Sequence, residues 1–209
     1  MMLESGRMLG VNKEMLGGGN IRGVAGIIFS EDGKILVGTE QRDKPSTKKL
    51  AGQTSIPMET LKPFEVGSQS HMIAALLTEI TNDMSMDLLK ERLSCSGIVD
   101  RVSVDEGVDL AIVFLRFQGD SYDEMPFISP NEDEFSDLRW EAGFLQDCHN
   151  VRPYAGSVIN FLESRLYGGD DLDIEYKNLN LDEFSPYNYS NYREQVNDIL
   201  MPNQHLVRK

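Results

Sequence analysis

Residues 24–39 read VAGIIFSEDGKILVGT, two apolar runs separated by the polar stretch SEDGK. Short apolar runs rich in isoleucine and valine are typical of buried strands. The pair Asp32-Gly33 favours a tight turn between them, because glycine readily adopts the positive φ that such turns need. This stretch therefore predicts a β-hairpin near the start of a folded domain.

After the hairpin the apolar spacing changes to that of a helix. From about Ser70 onward, apolar residues recur three and four positions apart: Ile73, Leu76, Leu77, Ile80 and Met84. That spacing lines one face of a helix for burial. Ser68 or Ser70 is expected to cap the helix start, because a serine hydroxyl can accept a hydrogen bond from a free N–H group there.

The remaining apolar stretches complete a mixed α/β pattern. Further elements are predicted as strands at 94–104, 108–117 and 135–144 and as a closing helix at 154–166. A polar loop at 43–49 and a short strand within 50–60 connect the hairpin to the first helix. The order of hairpin, loop, helix, strands and helix predicts a mixed α/β sandwich.

Composition divides the 209 residues into three segments. Residues 1–20 end in three glycines and an asparagine and are interpreted as an N-terminal extension. Residues 21–167 contain the periodic stretches and are predicted to form one domain. Residues 168–209 are interpreted as an acidic, Asn- and Tyr-rich C-terminal tail with one helix near 192–200. The tail is a candidate contact for a protein partner or for a homodimer.

The charge and the cysteine count exclude several classes of function. The net charge is −14, which repels phosphate backbones and anionic lipid and argues against a nucleic-acid partner. Cys95 and Cys148 stand far apart and indicate neither a disulfide framework nor a zinc site. No apolar run approaches the roughly 18 residues of a membrane span. We therefore expect a cytoplasmic protein that makes no contact with membranes.

Two short stretches around the predicted helix carry the most specific motif. Residues 57–65 read PMETLKPFE and residues 78–86 read TEITNDMSM. Together they resemble the Nudix signature, in which a glycine is followed after five residues by glutamate. Seven residues later come Arg-Glu, an apolar residue, any residue, Glu-Glu, any residue and glycine. The hairpin, Gln41-Arg42 and residues 134–140 resemble the usual flanks of that signature, so the resemblance covers most of 21–167. It implies an α/β fold, a Nudix-like α/β/α sandwich with a mixed β-sheet.

The match to the signature is partial. Glu65 falls at its first glutamate, Glu79 at the glutamate after the arginine and Asp83, a shorter carboxylate, at the last one. Asn82 replaces the penultimate glutamate, which is normally a metal ligand. The connection between the halves is twelve residues long instead of seven. The glycines and the arginine of the signature are replaced by Met58, Glu59 and Thr78.

The spacing of the acidic residues suits a metal ion. Glu79, Asn82 and Asp83 stand at i, i+3 and i+4, so they project from one side of the helix. Mg²⁺ binds oxygen ligands and keeps several waters, so two carboxylates, an amide oxygen and a substrate phosphate would suffice. The resemblance implies that Glu65, Glu79 and Asp83 are catalytic. It also implies that these three and Asn82 hold Mg²⁺ or Mn²⁺.

The resemblance implies hydrolysis of a nucleoside diphosphate linked to another moiety, with a nucleotide-type small molecule as the ligand. The general base stays open between Glu132 and Glu134. A second hypothesis is a catalytically inactive module of this fold that binds a nucleotide or a protein partner. A third is an unrelated α/β protein in which the acidic helix face is merely solvated.

Overall fold

The computed structural model of the chain describes residues 20–63, 65–82, 93–118, 134–142, 150–167 and 177–178. Eight strands and two α-helices lie in this part of the chain, with a 3-10 turn at Pro45–Thr47. The elements are β1 (Ile21–Phe29), β2 (Ile35–Glu40), β3 (Thr54–Ser55), β4 (Met58–Thr60), α1 (Gln69–Asn82), β5 (Leu93–Asp105), β6 (Val108–Phe117), β7 (Phe135–Glu141), α2 (Pro153–Tyr167) and β8 (Lys177–Asn178).

The strands form one mixed sheet with β1 near its centre. β1 runs parallel to β6, with Ile27 opposite Phe114, and antiparallel to β4, with Val24 opposite Glu59. On one side of this centre, β5 pairs antiparallel with β6 and β8 pairs antiparallel with β5. On the other side, β2 pairs antiparallel with β3 and β7. The pairing of β1 with β6 gives the sheet its parallel part.

Both faces of the sheet are covered by a helix. β6 illustrates this, because its residues are buried on both sides of the strand. The cluster that includes the α1 side chains contains Ala111, Val113 and Leu115. The cluster that includes the α2 side chains contains Leu110, Ile112 and Phe114. Since neighbouring residues of a strand face opposite ways, α1 and α2 lie on opposite faces. The predicted α/β/α sandwich with a mixed sheet is confirmed.

Helix α1 begins where the sequence indicates. Of the two predicted caps it uses Ser68, whose hydroxyl accepts a hydrogen bond from His71 N at 3.4 Å. The Ser68 carbonyl accepts the first helical hydrogen bond, from Met72 N at 3.0 Å. The predicted apolar face packs against the sheet, where Leu76 and Ile80 are buried. The last predicted member of that face, Met84, lies outside the described residues.

The turn predicted within 24–39 forms, but the two strands beside it pair with each other at only one position. Ser30 N donates to Lys34 O at 2.9 Å, and Gly33 has φ +81° as the turn requires. β1 and β2 then pair at Phe29 and Ile35 and diverge. Beyond that residue pair, β1 forms its backbone hydrogen bonds with β6 and β4, whereas β2 forms them with β7 and β3. These longer-range pairings determine where the two strands run.

Residues 177–178, in the stretch whose composition indicates a tail, form strand β8 against β5, with Lys177 opposite Cys95. The helix predicted near 192–200 and the last residues of the strand predicted at 135–144 lie outside the described residues. Within the described part, no helix is long and apolar enough to cross a membrane.

Close packing of α1 on the sheet can be tested at Gly26. A Cβ atom built there would lie 2.9 Å from Leu76 Cδ2 and 3.1 Å from its Cδ1, inside ordinary contact distance. We expect Gly26→Ala to lower the free energy of unfolding by about 1–3 kcal/mol, because added volume strains a packed core. Gly156→Ala is the control, because its Cβ would meet Val151 at 3.8 Å inside α2. Urea unfolding of both variants measures this, and equal stability would contradict the packing.

Candidate active site

A cavity of about 230 Å³, here called lobe A, opens between β4 and α1. Its walls combine carboxylates and cations from distant parts of the chain. The lining residues are Arg42, Asp43, Lys44, Thr47, Lys49, Met58, Glu59, Thr60, Glu79, Glu134 and Arg152. Mixed charge of this kind suits a ligand that carries phosphate and that a cation accompanies.

Glu59 and Glu79 reach lobe A from two elements that pack together. Glu59 lies on β4, where pairing with Val24 of β1 fixes its register. Glu79 lies in the last turn of α1 and is 8% exposed. Glu79 was a candidate from the sequence, whereas Glu59 was counted there only as a replaced glycine. The structure brings the two carboxylates to the same cavity.

Glu65 makes a local contact with the backbone. It is fully buried in the turn before α1, and its Oε2 accepts a hydrogen bond from Lys62 N at 2.6 Å. The backbone closes the same turn, because Glu65 N donates to Lys62 O at 2.9 Å. Glu65 is not among the described residues that line lobe A. Its part in catalysis or in metal binding therefore stays a prediction.

The two remaining candidates stand at the end of α1. Asn82 is the last residue of the helix, and its side chain lies outside the described part, as does the whole of Asp83. Within the described part, no group of three or more His, Cys, Asp and Glu side chains is placed to hold a metal ion. The predicted ligand set of Glu79, Asp83, Asn82 and Glu65 thus stays a prediction.

A buried network of charges forms the base of lobe A. Glu40, at the end of β2, has no exposed surface, and its Oε1 accepts from Arg152 Nη1 at 2.9 Å. Lys49 Nζ lies 2.8 Å from Glu40 Oε2 and 2.7 Å from Glu134 Oε2. Arg152 also donates through Nη2 to the carbonyl of Thr47 at 3.3 Å. These contacts tie the 44–49 loop and the start of α2 to the sheet.

The network changes the titration of Lys49. Burial by itself lowers the pKa of Lys49, but the hydrogen bonds to Glu134 and Glu40, together with the negative charge of both, raise it above the ordinary value. The ammonium group is therefore held charged beside the two carboxylates at neutral pH. Glu134, one of the two bases considered from the sequence, thus lines lobe A with its carboxylate bonded to Lys49. The other, Glu132, lies outside the described residues.

The outer part of the 44–49 loop is held by an exposed contact. Lys48 has φ +52° and pairs through Nζ with Asp105 Oδ2 at 2.7 Å, and Tyr154 donates its hydroxyl to the same oxygen at 3.4 Å. The hydrogen bond from Lys48 lowers the pKa of Asp105. Because Asp105 ends β5 and Tyr154 opens α2, the contact fixes the loop against both elements.

A second cavity of about 300 Å³, here called lobe B, adjoins lobe A. Its other walls come from the start of β1, the start of β6 and Tyr154 of α2. The residues that line both lobes are Lys44, Thr47, Met58, Glu59, Thr60 and Arg152. The site therefore has two adjoining compartments with a common wall.

Sequence reasoning missed most of this arrangement. Lys49 and Arg152 gave no signal, because a charged residue is ordinarily assumed to be exposed. Glu134 also stands 85 residues from Lys49, and Glu40 stands 112 residues from Arg152. Glu59 was visible in the sequence, but only as a departure from the signature. A carboxylate where the signature has glycine is a loss of the motif, but it also adds a new oxygen donor.

The comparisons with known proteins are limited to structure. No protein-family model and no curated protein matches the chain. Similar solved structures include a Nudix hydrolase of M. smegmatis, RenU, at 12% identity and TM-score 0.46, over 75% of this chain and 91% of that one. Another is the Nudix domain of Shewanella oneidensis NrtR with ADP ribose, at 13% identity and TM-score 0.44, over 75% and 94%.

A third similar structure is the C-terminal domain of mouse MUTYH in complex with human PCNA. It is 16% identical to this chain, with a TM-score of 0.45 over 69% of this chain and 88% of that one. RenU and the NrtR domain are Nudix proteins, members of the family that the sequence resembles. The α/β/α sandwich that the resemblance implies is confirmed by the mixed sheet between two helices.

The buried network can be tested at Glu40. We expect Glu40→Gln to lower the free energy of unfolding by about 3–5 kcal/mol, because two buried cations lose their shared partner. Asp109→Asn is the matched control, because Asp109 pairs with Arg101 at 3.7 Å nearer the surface. That change should cost less than about 1 kcal/mol. Similar small losses in both variants would mean that Glu40 does not organise the base of the cavity.

The raised pKa of Lys49 gives a second test. A folded-state pKa above the unfolded value stabilises the fold at pH values below about 10.4, and this contribution disappears as pH rises through the folded-state pKa. Wild type should therefore lose more stability than Lys49→Met between about pH 8 and about pH 11. Urea unfolding at both pH values measures the difference. Identical losses in the two proteins would show that the Lys49 ion pairs contribute nothing.

Proposed function

We propose that the chain is a magnesium-dependent hydrolase that cleaves a nucleoside diphosphate linked to another moiety, and that the diphosphate binds in lobe A. One observation carries the proposal: Glu59 of β4 and Glu79 of α1 line one cavity that Lys44 and Arg152 also line. Carboxylates provide oxygen ligands for the divalent cation, while the basic side chains attract the phosphate oxygens. The Nudix-like fold and the partial signature agree with this chemistry.

The residues of lobe A suit Mg²⁺, or Mn²⁺ in its place. Mg²⁺ is commonly bound through one or two carboxylates together with substrate phosphates, and it keeps several waters. Glu59 and Glu79 would be ligands of the ion. The resemblance to the Nudix signature adds Asp83, Asn82 and Glu65 as further ligands. When bound, the ion supplies charge neutralisation at the diphosphate and lowers the pKa of the attacking water.

The chain's own side chains would orient the substrate and the water. Lys44 and Arg42 border the cavity and offer donors to phosphate oxygens, which a protein of net charge −14 needs if it is to bind an anion. Of the two bases considered from the sequence, Glu134 is the one that lies among the described residues, and it would position the attacking water. Its carboxylate pairs with Lys49 at 2.7 Å and with Arg42 at 3.4 Å.

A second candidate function is a non-catalytic module that binds the same class of ligand. The observation in its favour concerns Glu65, which is buried, accepts a hydrogen bond from the backbone of Lys62 and is not among the described residues that line lobe A. Without Glu65, and with Asn82 in place of a carboxylate, the ion would be held more weakly than the resemblance implies. The cavity would then bind a nucleotide without cleaving it.

Hydrolysis of a panel of nucleoside diphosphate derivatives in Mg²⁺ tests the proposal. We expect turnover by wild type and a loss of at least about 100-fold in Glu79→Gln, Glu59→Gln and Asp83→Asn, because each removes a charged oxygen ligand. Glu31→Gln is the control, because Glu31 is exposed in the turn between β1 and β2. Chromatography measures the amount of product that each protein forms.

The outcomes separate the two candidates. Absence of turnover by wild type, together with Mg²⁺-dependent binding of a nucleotide, would leave the non-catalytic module. Turnover that survives in both Glu79→Gln and Glu59→Gln would mean that the reaction takes place outside lobe A.

A further inference from the structure

Lys49 is held in place along its whole length. Its backbone pairs with that of Lys44 across the 44–49 loop, through hydrogen bonds of 2.8 and 3.3 Å. Its side chain is 9% exposed, and its Nζ lies 5.4 Å from the centre of the Phe135 ring. A lysine side chain is ordinarily flexible, and its ammonium group is ordinarily well hydrated. The ammonium group of Lys49 is instead largely removed from water and fixed at the wall of lobe A.

This ammonium group is shared by two carboxylates of different exposure. Its Nζ lies 2.8 Å from Glu40 Oε2 and 2.7 Å from Glu134 Oε2. Glu40 has no exposed surface and is also held by Arg152, at 2.9 Å. The side chain of Glu134 is 27% exposed and lines lobe A. Lys49 therefore connects a carboxylate that is fixed in the interior to one that borders the cavity.

The carboxylate of Glu134 depends on Lys49 for its position. The backbone of Glu134 is fixed where β7 begins, because Gln41 N donates to its carbonyl at 2.9 Å. The other contact of its carboxylate is with Arg42, whose Nη1 lies 3.4 Å from Oε1 and whose side chain is 55% exposed. A long contact with an exposed arginine does little to fix a carboxylate. The short contact with the buried Lys49 is the one that sets the position of the group.

We propose that Lys49 is the positioning residue for Glu134 in the hydrolysis, and that it holds Oε2 so that Oε1 accepts a hydrogen bond from the attacking water. A carboxylate oxygen can accept two hydrogen bonds, so the long contact with Arg42 leaves Oε1 able to accept another. The assignment rests on the proposed function, because Glu134 has a water to orient only if the ligand of lobe A is hydrolysed. Lys49 acts through Glu134 and does not bind the substrate.

The step that depends on this orientation is attack on the diphosphate. The water oxygen forms a bond to one phosphorus atom, and Glu134 takes the proton that the water gives up. The bond from that phosphorus atom to the bridging oxygen breaks, and the oxygen leaves with the electron pair. A misplaced Glu134 would slow this step without weakening the binding of the substrate. The loss should therefore appear in kcat and leave KM unchanged.

Lys49→Met removes the shared cation. Glu40 and Glu134 then lie near each other without it, and two carboxylates repel. Glu40 is still held by Arg152, so Glu134 is the group that moves. We expect Lys49→Met to lower kcat about tenfold and to change KM by less than about twofold, because misplacing a catalytic group slows the reaction. Glu134→Gln should lower kcat by about 100-fold, because the proton acceptor is lost.

The double variant gives the decisive measurement. In the Glu134→Gln background, Lys49→Met should lower kcat by no more than about twofold, because the carboxylate that Lys49 positions is already gone. Lys34→Met is the matched control in both backgrounds, because Lys34 pairs with Asp32 at 3.4 Å and lines neither lobe. The full chain is assayed in Mg²⁺ with ADP-glucose, UDP-glucose and diadenosine diphosphate, and the compound that wild type hydrolyses fastest is used throughout.

Urea unfolding of the same four proteins, without Mg²⁺ or substrate, measures the contact itself. The effects of Lys49→Met and Glu134→Gln on the free energy of unfolding should not add, because residues in contact are coupled. The same unfolding curves show whether each variant is folded. Lys49→Gln, which keeps a hydrogen-bond donor without the charge, is the milder variant and takes the place of Lys49→Met if that protein does not fold.

The outcomes separate this assignment from the proposed function. If wild type hydrolyses none of the compounds, the two fail together. If wild type is active but Lys49→Met lowers kcat equally in both backgrounds, the assignment is wrong and the proposed function stands. A rise in KM at unchanged kcat would also overturn the assignment, because Lys49 would then bind the substrate directly. Additive effects on unfolding would show that Lys49 does not hold Glu134.

Discussion

Glu40 has no exposed surface, and its two carboxylate oxygens lie 2.9 Å from Arg152 and 2.8 Å from Lys49. Burying one carboxylate and two cations costs a large solvation energy, so such a network is weak evidence for stability. The network instead fixes the positions of three segments, because its residues come from the end of β2, from the 44–49 loop and from the position before α2. A cavity wall made of separate segments needs such a common partner, and both lobes are bounded by the segments that Glu40 joins.

The sequence predicted those elements whose signal is local. β6 was visible as a dense apolar run, and its bounds of 108–117 were predicted correctly because its central residues, 110–115, are all apolar and buried on both faces of the sheet. The start of α1 was visible through Ser68. The partners of β1 were not visible, since pairing with β6 joins residues more than 80 positions apart, as Ile27 and Phe114 show. Nothing in the hairpin turn indicates that its two strands diverge after one residue pair.

The candidate site was predictable only where it coincides with a motif. Glu79 was found because a helix and a partial signature pointed to it, and it does line lobe A. Glu65 was chosen by the same signature, yet its carboxylate is bonded to the backbone of its own turn. Lys49 and Arg152 carry no motif, and their importance comes from burial beside Glu40. Burial is a property of the folded chain that a list of residues does not contain, so no spacing argument finds these two.

Strand β8 has a consequence for where the folded unit ends. Its two residues pair with Ser94 and Cys95 of β5, which would otherwise be the border strand on that side among the strands that the structure describes. Unpaired N–H and C=O groups at the border of a sheet are a template for association with other chains. A shortened protein that stops at Tyr167 would keep both helices and the two lobes but would leave this stretch of β5 open. Its solubility would then depend on whether another molecule's strand occupies the place of β8.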